Sequence, residues 1–207
     1  ADLAARIPFA GLLALTLACT WYAVYHLARQ RGAQPVAFAF GGEAQPVDYA
    51  RTLADAALLA LVACLGLAQL SHETTPDLAR LAAISALLLG AARLAQADDA
   101  RPHRTLLLWG CGAAALAFSG APWLALVAGV GLLIWVGLPH PDGPESGADR
   151  ASLLWAGGSL ALVMVLAAVA GLLQGPDLEL PTQWKDWGRW GQLLVWFTWP
   201  AWPLVLW

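Results

Sequence analysis

Charge is what this sequence lacks. Of its 207 residues 12% are charged and 59% hydrophobic, where soluble domains carry about 25% and about 45–50%. With a mean hydropathy of +0.62, the apolar runs are too long to hide around one water-facing core, and lipid must solvate most helix faces. A net charge of −3 excludes the basic surface that nucleic acid requires. Cysteine is also scarce: Cys19, Cys64 and Cys111 sit singly inside apolar runs, with no C-x-x-C and no Cys/His spacing suited to zinc. They read as small packing residues.

The long hydrophobic runs are what is present. About 20 apolar residues cross a hydrocarbon core of roughly 30 Å, and on that ruler spans fall at 7–28, 52–70, 78–95, 105–119, 122–138, 151–173 and 192–207. The first is longer than a signal-peptide core and ends in cationic residues instead of a cleavage site. Thr16 stands where a lipoprotein box before Cys19 would need leucine, so this run is read as a retained span. Residues 105–138 are too long for one crossing, and Ser119-Gly120-Ala121-Pro122 breaks them into a helical hairpin, because glycine frees the backbone and proline starts a helix. The expected fold is therefore all-α, a polytopic transmembrane bundle of about seven spans forming a single domain over 1–207.

Seven spans place the connections alternately on two sides. Arg29, Arg31, Arg51, Arg93, Arg101, Arg104 and Arg150 collect on one side, while the other has Arg6, Arg80, Lys185 and Arg189. By the positive-inside rule the arginine-rich side is cytoplasmic. Between the first two spans, Pro35-Val-Ala-Phe-Ala-Phe40 is apolar but too short to cross; it either lies in the interface or extends the second span. Pro139-His-Pro-Asp-Gly-Pro-Glu-Ser-Gly reads as a solvated loop.

Four constellations could carry chemistry. Ser71-His72-Glu73-Thr74-Thr75-Pro76-Asp77 puts an imidazole and two carboxylates at the external surface, where they could line a cavity, move a proton, or position a phosphate through a divalent cation. The plainer reading is that Thr74 or Thr75 and Asp77 cap the next helix. Arg51 and Asp55, four apart, can meet on one helix face, near the boundary where an arginine snorkels. His26 and His72 would suit haem as a pair, but a span's thickness separates them. Last, Trp184, Trp187 and Trp190 recur every third residue with Lys185, Asp186 and Arg189 between them. That stripe predicts a short amphipathic helix over 182–192 in the headgroup layer, able either to stack on sugars and a polyprenyl chain or simply to form an interfacial belt.

Several segments together resemble a known family. Ala4-Ala5-Arg6-Ile7-Pro8-Phe9-Ala10, leading to Tyr25-His26-Leu27-Ala28-Arg29-Gln30-Arg31, resembles a span of the aminoarabinose transferase-like membrane glycosyltransferases, of the GT-C class. Gln69-Leu70-Ser71-His72-Glu73-Thr74-Thr75-Pro76-Asp77 resembles a periplasmic turn of its proteobacterial members, and Phe118-Ser119-Gly120-Ala121-Pro122 their helix-breaking hairpin. Trp196-Phe197-Thr198-Trp199-Pro200-Ala201-Trp202-Pro203-Leu204 is the most specific match, to a Trp-Pro-rich span.

The resemblance implies a bacterial inner-membrane, multi-pass protein with a GT-C-like core. Its implied reaction moves a sugar from a polyprenyl-phosphate donor to an acceptor, often lipid A, on the periplasmic face. The family's acidic catalytic motif falls upstream of Ala1, so no catalytic acid is carried over, and the implied object is a fragment of such an enzyme, a reduced relative, or a subunit. On sidedness His72 and Glu73 would handle protons or bond the acceptor, while Lys185 and Arg189, beside Trp187, would hold phosphate. From a different class, a non-catalytic subunit of a larger membrane complex is the alternative, because glycines such as Gly129-x-Gly131 and Gly157-Gly158 let helices approach closely. A solute transporter is disfavoured by the lack of paired intramembrane charges and of an internal repeat.

Overall fold

The structure is a computed structural model that describes residues 2–35, 42, 44–64, 66–67, 75–96, 102–138, 149–173 and 184–199; the side chains of 2–5 and 184–186 lie outside that description. Among these residues there are seven α-helices and no strand: α1 Asp2–Ala28, α2 Pro46–Ala63, α3 Pro76–Leu94, α4 Pro102–Phe118, α5 Pro122–Gly137, α6 Arg150–Val169 and α7 Trp184–Phe197. A 3₁₀ turn, Arg31–Ala33, follows α1. The expected all-helical class holds.

Proline opens α2, α3 and α5 within their first two positions, where its missing N–H is one that a helix leaves unbonded and its fixed φ already suits the helix. Helix α2 starts at Pro46, six residues before the expected span at 52, so the approach to the second span is itself helical in part. Residues 36–41, which hold most of the short apolar run, are outside the description.

Glycine closes two helices. Gly120 has φ +85°; its N–H bonds to the Ala117 carbonyl at 3.3 Å and that of Ala121 to Leu116 at 3.3 Å. This is a Schellman close, which leaves the chain free to re-enter a helix at Pro122. The hairpin expected at 119–122 is therefore present. Gly171, at φ +73°, ends α6 in the same way, with Gly171 bonded to Ala168 at 3.0 Å and Leu172 to Ala167 at 2.9 Å.

Helix α1 packs on α2 and α3, α3 on α4 and α5, and α4, α5 and α6 on one another. The main core lies between α3, α4, α5 and α6 around Leu87, Trp109, Leu116 and Leu160, and a smaller one joins α1 to α3 around Cys19, Ala23, Leu89 and Ala92. Small residues set the spacing: a Cβ on Gly112 would lie 3.0 Å from the Leu87 nitrogen, and one on Gly90 3.2 Å from the Trp109 Cα. Of the glycines expected to permit close approach, only Gly129 does so, against Leu160, while Gly131 and Gly158 face open space. The glycines at the α3–α4 contact were the ones missed.

Two helices are long and apolar enough to cross a membrane by length and composition, Arg6–Ala28 and Arg150–Val169; α5 is apolar but shorter. Within their most apolar windows only 17% and 22% of residues are buried, unlike the core helices of a water-soluble protein. On that measure two helices qualify where seven were expected. Helix α7 runs unbroken from Trp184 to Phe197, so the helix expected over 182–192 continues into the start of the segment expected from 192. Trp196 belongs to this helix, whereas residues 200–207 lie outside the description.

Candidate functional site

Side-chain hydrogen bonds gather along the C-terminal half of α1, which packs on both α2 and α3. The Trp21 indole Nε1 donates to Asp55 Oδ1 at 2.7 Å. Trp21 stacks on Tyr25 with centroids 5.3 Å apart, and the Arg29 guanidinium lies 5.7 Å from the Tyr25 ring centroid. A ladder Arg29–Tyr25–Trp21–Asp55 thus runs along α1 and across to α2, spaced by the turns of α1. Beside it, His26 Nδ1 is 2.9 Å from Gln96 Oε1, and Gln96 Nε2 donates to the His26 carbonyl at 2.9 Å. Arg93 Nε donates to His26 Nε2 at 3.4 Å, and since that nitrogen accepts, the ring proton belongs on Nδ1, facing the glutamine. His26 is therefore tied to the C-terminal end of α3.

Arg51 bonds Asp48 at 3.3 Å and not Asp55, although both carboxylates are within helical reach. The expected Arg51–Asp55 pairing is corrected accordingly. The exposed N-terminal end of α2 lets Arg51 point toward its start, where Asp48 also faces the positive helix dipole. The Trp21–Asp55 bond, linking residues 34 apart in sequence, had no local signal, since it depends on how α1 and α2 cross.

At the opposite end of α3, Arg80 is the organised cation. It pairs with Asp77 at 2.8 Å, and its Nε and Nη2 donate to the Ser119 carbonyl at 3.2 and 3.1 Å. Arg80 therefore braces the α4–α5 hairpin against α3. Thr75 occupies the cap position of α3 with extended dihedrals but makes no side-chain cap bond, so capping by Thr75 is positional only, and Asp77 contributes through the first turn and Arg80.

Of the residues singled out as substrate-binding, His72 and Glu73 lie outside the described residues. Lys185 is in α7, with its side chain outside the description; Trp187 and Arg189 are exposed on the same helix. No described hydrogen bond or ion pair joins Trp187 or Arg189 to the Arg80 cluster, and at the far end of α7 the Phe197 ring covers Gly66. Among the described residues no group of three or more His, Cys, Asp or Glu could hold a metal ion, so a divalent cation has no site built from them. Cys19 is buried, as a packing residue should be, whereas Cys111 points outward from α4.

With this geometry in view the chain was compared with protein-family models, curated proteins and solved structures. It matches none of them. The reading of function therefore rests on the residues and on their arrangement.

Proposed function

We propose that the chain is the multi-pass core of a glycosyltransferase-like protein of the bacterial inner membrane, handling a polyprenyl-phosphate-linked sugar on the periplasmic face. The membrane part rests on one observation: α1 and α6 expose most of their apolar windows, with Leu154, Trp155 and Val169 of α6 each at least 70% exposed. Water would oppose such a surface by about 25 cal/mol per Å² of apolar area; lipid does not. In this reading α1 to α6 are six of about seven crossings. Arg29, Arg51, Arg93, Arg104 and Arg150 then share the cytoplasmic end, and Arg80 and the α4–α5 hairpin face outward. Helix α7, with Trp187 and Trp190 exposed, lies in the external headgroup layer.

The transferase part is supported by the resemblance of 4–31, 69–77, 118–122 and 196–204, and by the external placement that this threading gives to His72, Glu73, Lys185 and Arg189. Lipid A or another periplasmic acceptor would meet the donor on that side. Polyprenyl phosphate tests it: at a concentration of about 100 Kd, a bound ligand stabilises the folded chain by about 2.7 kcal/mol. The expected result is a rise in Tm in detergent or nanodiscs that neutral polyprenol does not reproduce. No rise at saturating polyprenyl phosphate would remove the transferase reading.

A second reading, a non-catalytic subunit of a membrane complex, is favoured by α2. Its one substantial helix pairing among the described residues is with α1, and Asp55 stays exposed beside that contact while bonded to Trp21. An aspartate held at mid-helix in lipid costs up to about 3 kcal/mol, an energy that a covering partner removes.

A further inference from the structure

Helix α2 turns Ala50 and Ala54 inward, where both are fully buried. Its other side presents Asp48, Thr52, Asp55, Leu59 and Val62, all exposed. Their spacing alternates four and three residues, the 3.5-residue period of a seam that meets another helix along its length. Ala56 and Ala63 flank it and are exposed too, so a neighbouring backbone can come close. Asp55 sits at the centre of this seam, about 13 Å along the helix from Pro46.

The Asp55 carboxylate is held in position. Its Oδ1 accepts from the Trp21 indole at 2.7 Å, which leaves Oδ2 for another donor. Among the described residues no cation pairs with it: Arg51 is drawn to Asp48 and Arg29 lies over Tyr25. A metal ion has no supporting ligands there among those residues.

We propose that this face of α2 is a docking surface for another membrane helix, one carrying an arginine that meets Asp55 from the cytoplasmic side. The proposal rests on the membrane reading above. Arginine fits because it stays protonated in any surroundings, is less strongly hydrated than lysine, and offers a fork of donors to a carboxylate whose other oxygen is occupied. Its long stem lets the guanidinium reach inward from the headgroup layer. A second copy of this chain fits poorly. Two copies in one bilayer share orientation and depth, so the seam would set Asp55 against Asp55 with like charges facing.

The test uses the full chain in lipid vesicles with synthetic oligo-leucine transmembrane peptides, identical except for arginine, leucine or glutamate at the depth of Asp55, and reads association by energy transfer. The expected result is binding of the arginine peptide about tenfold tighter than that of the leucine peptide, with Asp55→Asn removing the difference and Asp48→Asn preserving it. An unchanged Tm for Asp55→Asn shows that the variant still folds. Equal binding of arginine and leucine peptides, or an arginine preference that survives Asp55→Asn, overturns the docking surface. Energy transfer between copies of the chain that depends on Asp55 overturns it in favour of self-association. Rapid labelling of Asp55→Cys by a membrane-impermeant maleimide would instead show α2 in water, and so overturn the membrane reading itself.

Discussion

The indole of Trp109 donates to the main-chain carbonyl of Ala156 across 3.1 Å, with both residues fully buried. That carbonyl also accepts from Ser159 Oγ at 2.8 Å. The bond ties the largest buried side chain of α4 to the backbone of α6, in the core shared with Leu87 and Leu116. Trp109→Ala opens a cavity and is expected to cost about 3–5 kcal/mol. Trp109→Phe is expected to cost less, since Ser159 still satisfies the carbonyl. Thermal unfolding in one detergent orders the two variants, and equal losses would assign the effect to the indole bond and leave nothing to the cavity.

Spacing between α3 and α4 gives a sharper contrast. A methyl on Gly112 meets backbone, the Leu87 nitrogen at 3.0 Å and the Ala83 oxygen at 3.2 Å, which no rotamer change relieves. Gly112→Ala should therefore destabilise by about 1–3 kcal/mol. Gly131→Ala, with open space around it, should be neutral or stabilise by up to about 1 kcal/mol through helix propensity. If Gly112→Ala leaves Tm where it is in the parent protein, the α3–α4 contact is not as close as described.

Arg80 and Gly120 brace one hairpin. Gly120→Ala forces a side chain into positive φ, at about 1–2 kcal/mol. Arg80→Met removes the two donors on the Ser119 carbonyl, at about 1–3 kcal/mol if that oxygen finds no water. Arg80→Lys keeps the charge but not the paired Nε and Nη2 bonds, so it should fall between Arg80→Met and the parent protein in Tm. A lysine variant as stable as the parent would assign the effect to charge alone.

Threading is checked at the helix ends. Cysteines at Ser119 and Asp149, in a background without the three native thiols, are expected to react with an impermeant maleimide from opposite sides of sealed vesicles. Labelling of both from one side would contradict the up-and-down passage of α4, α5 and α6. A cytosol-dependent reporter placed in the 71–77 turn should stay silent.

Much of the fold was legible because its signals are local. Pro122 beside Gly120 marks a helix break whatever surrounds it, since φ preferences belong to the residue, and the paired Schellman bonds at Gly120 and Gly171 follow from the same preference. Helix ends were less legible: α2 begins at Pro46 because proline and Asp48 suit a first turn, a cue that a hydropathy ruler passes over. The chain passes 192 without a helix break for a related reason. Trp184 to Phe197 is compatible with helix throughout, and a change from amphipathic to apolar composition does not by itself break the backbone.

The candidate site was legible only in part. Asp55 stood out as an acid in an apolar run, but its partner was misassigned to Arg51 because spacing of four on one helix is visible in sequence and a crossing of two helices is not. The sequence by itself determined the all-helical class of the described residues, the helix break at Gly120 and Pro122, and the long apolar runs, since these depend on composition and on preferences each residue carries alone. Only the tertiary structure decided that Trp21 reaches Asp55, that His26 is tied to Arg93 and Gln96, and that Gly90 and Gly112 set the α3–α4 spacing. Contacts between residues far apart in the chain depend on how helices cross and rotate, and many apolar faces of equal hydropathy would have satisfied the same pattern.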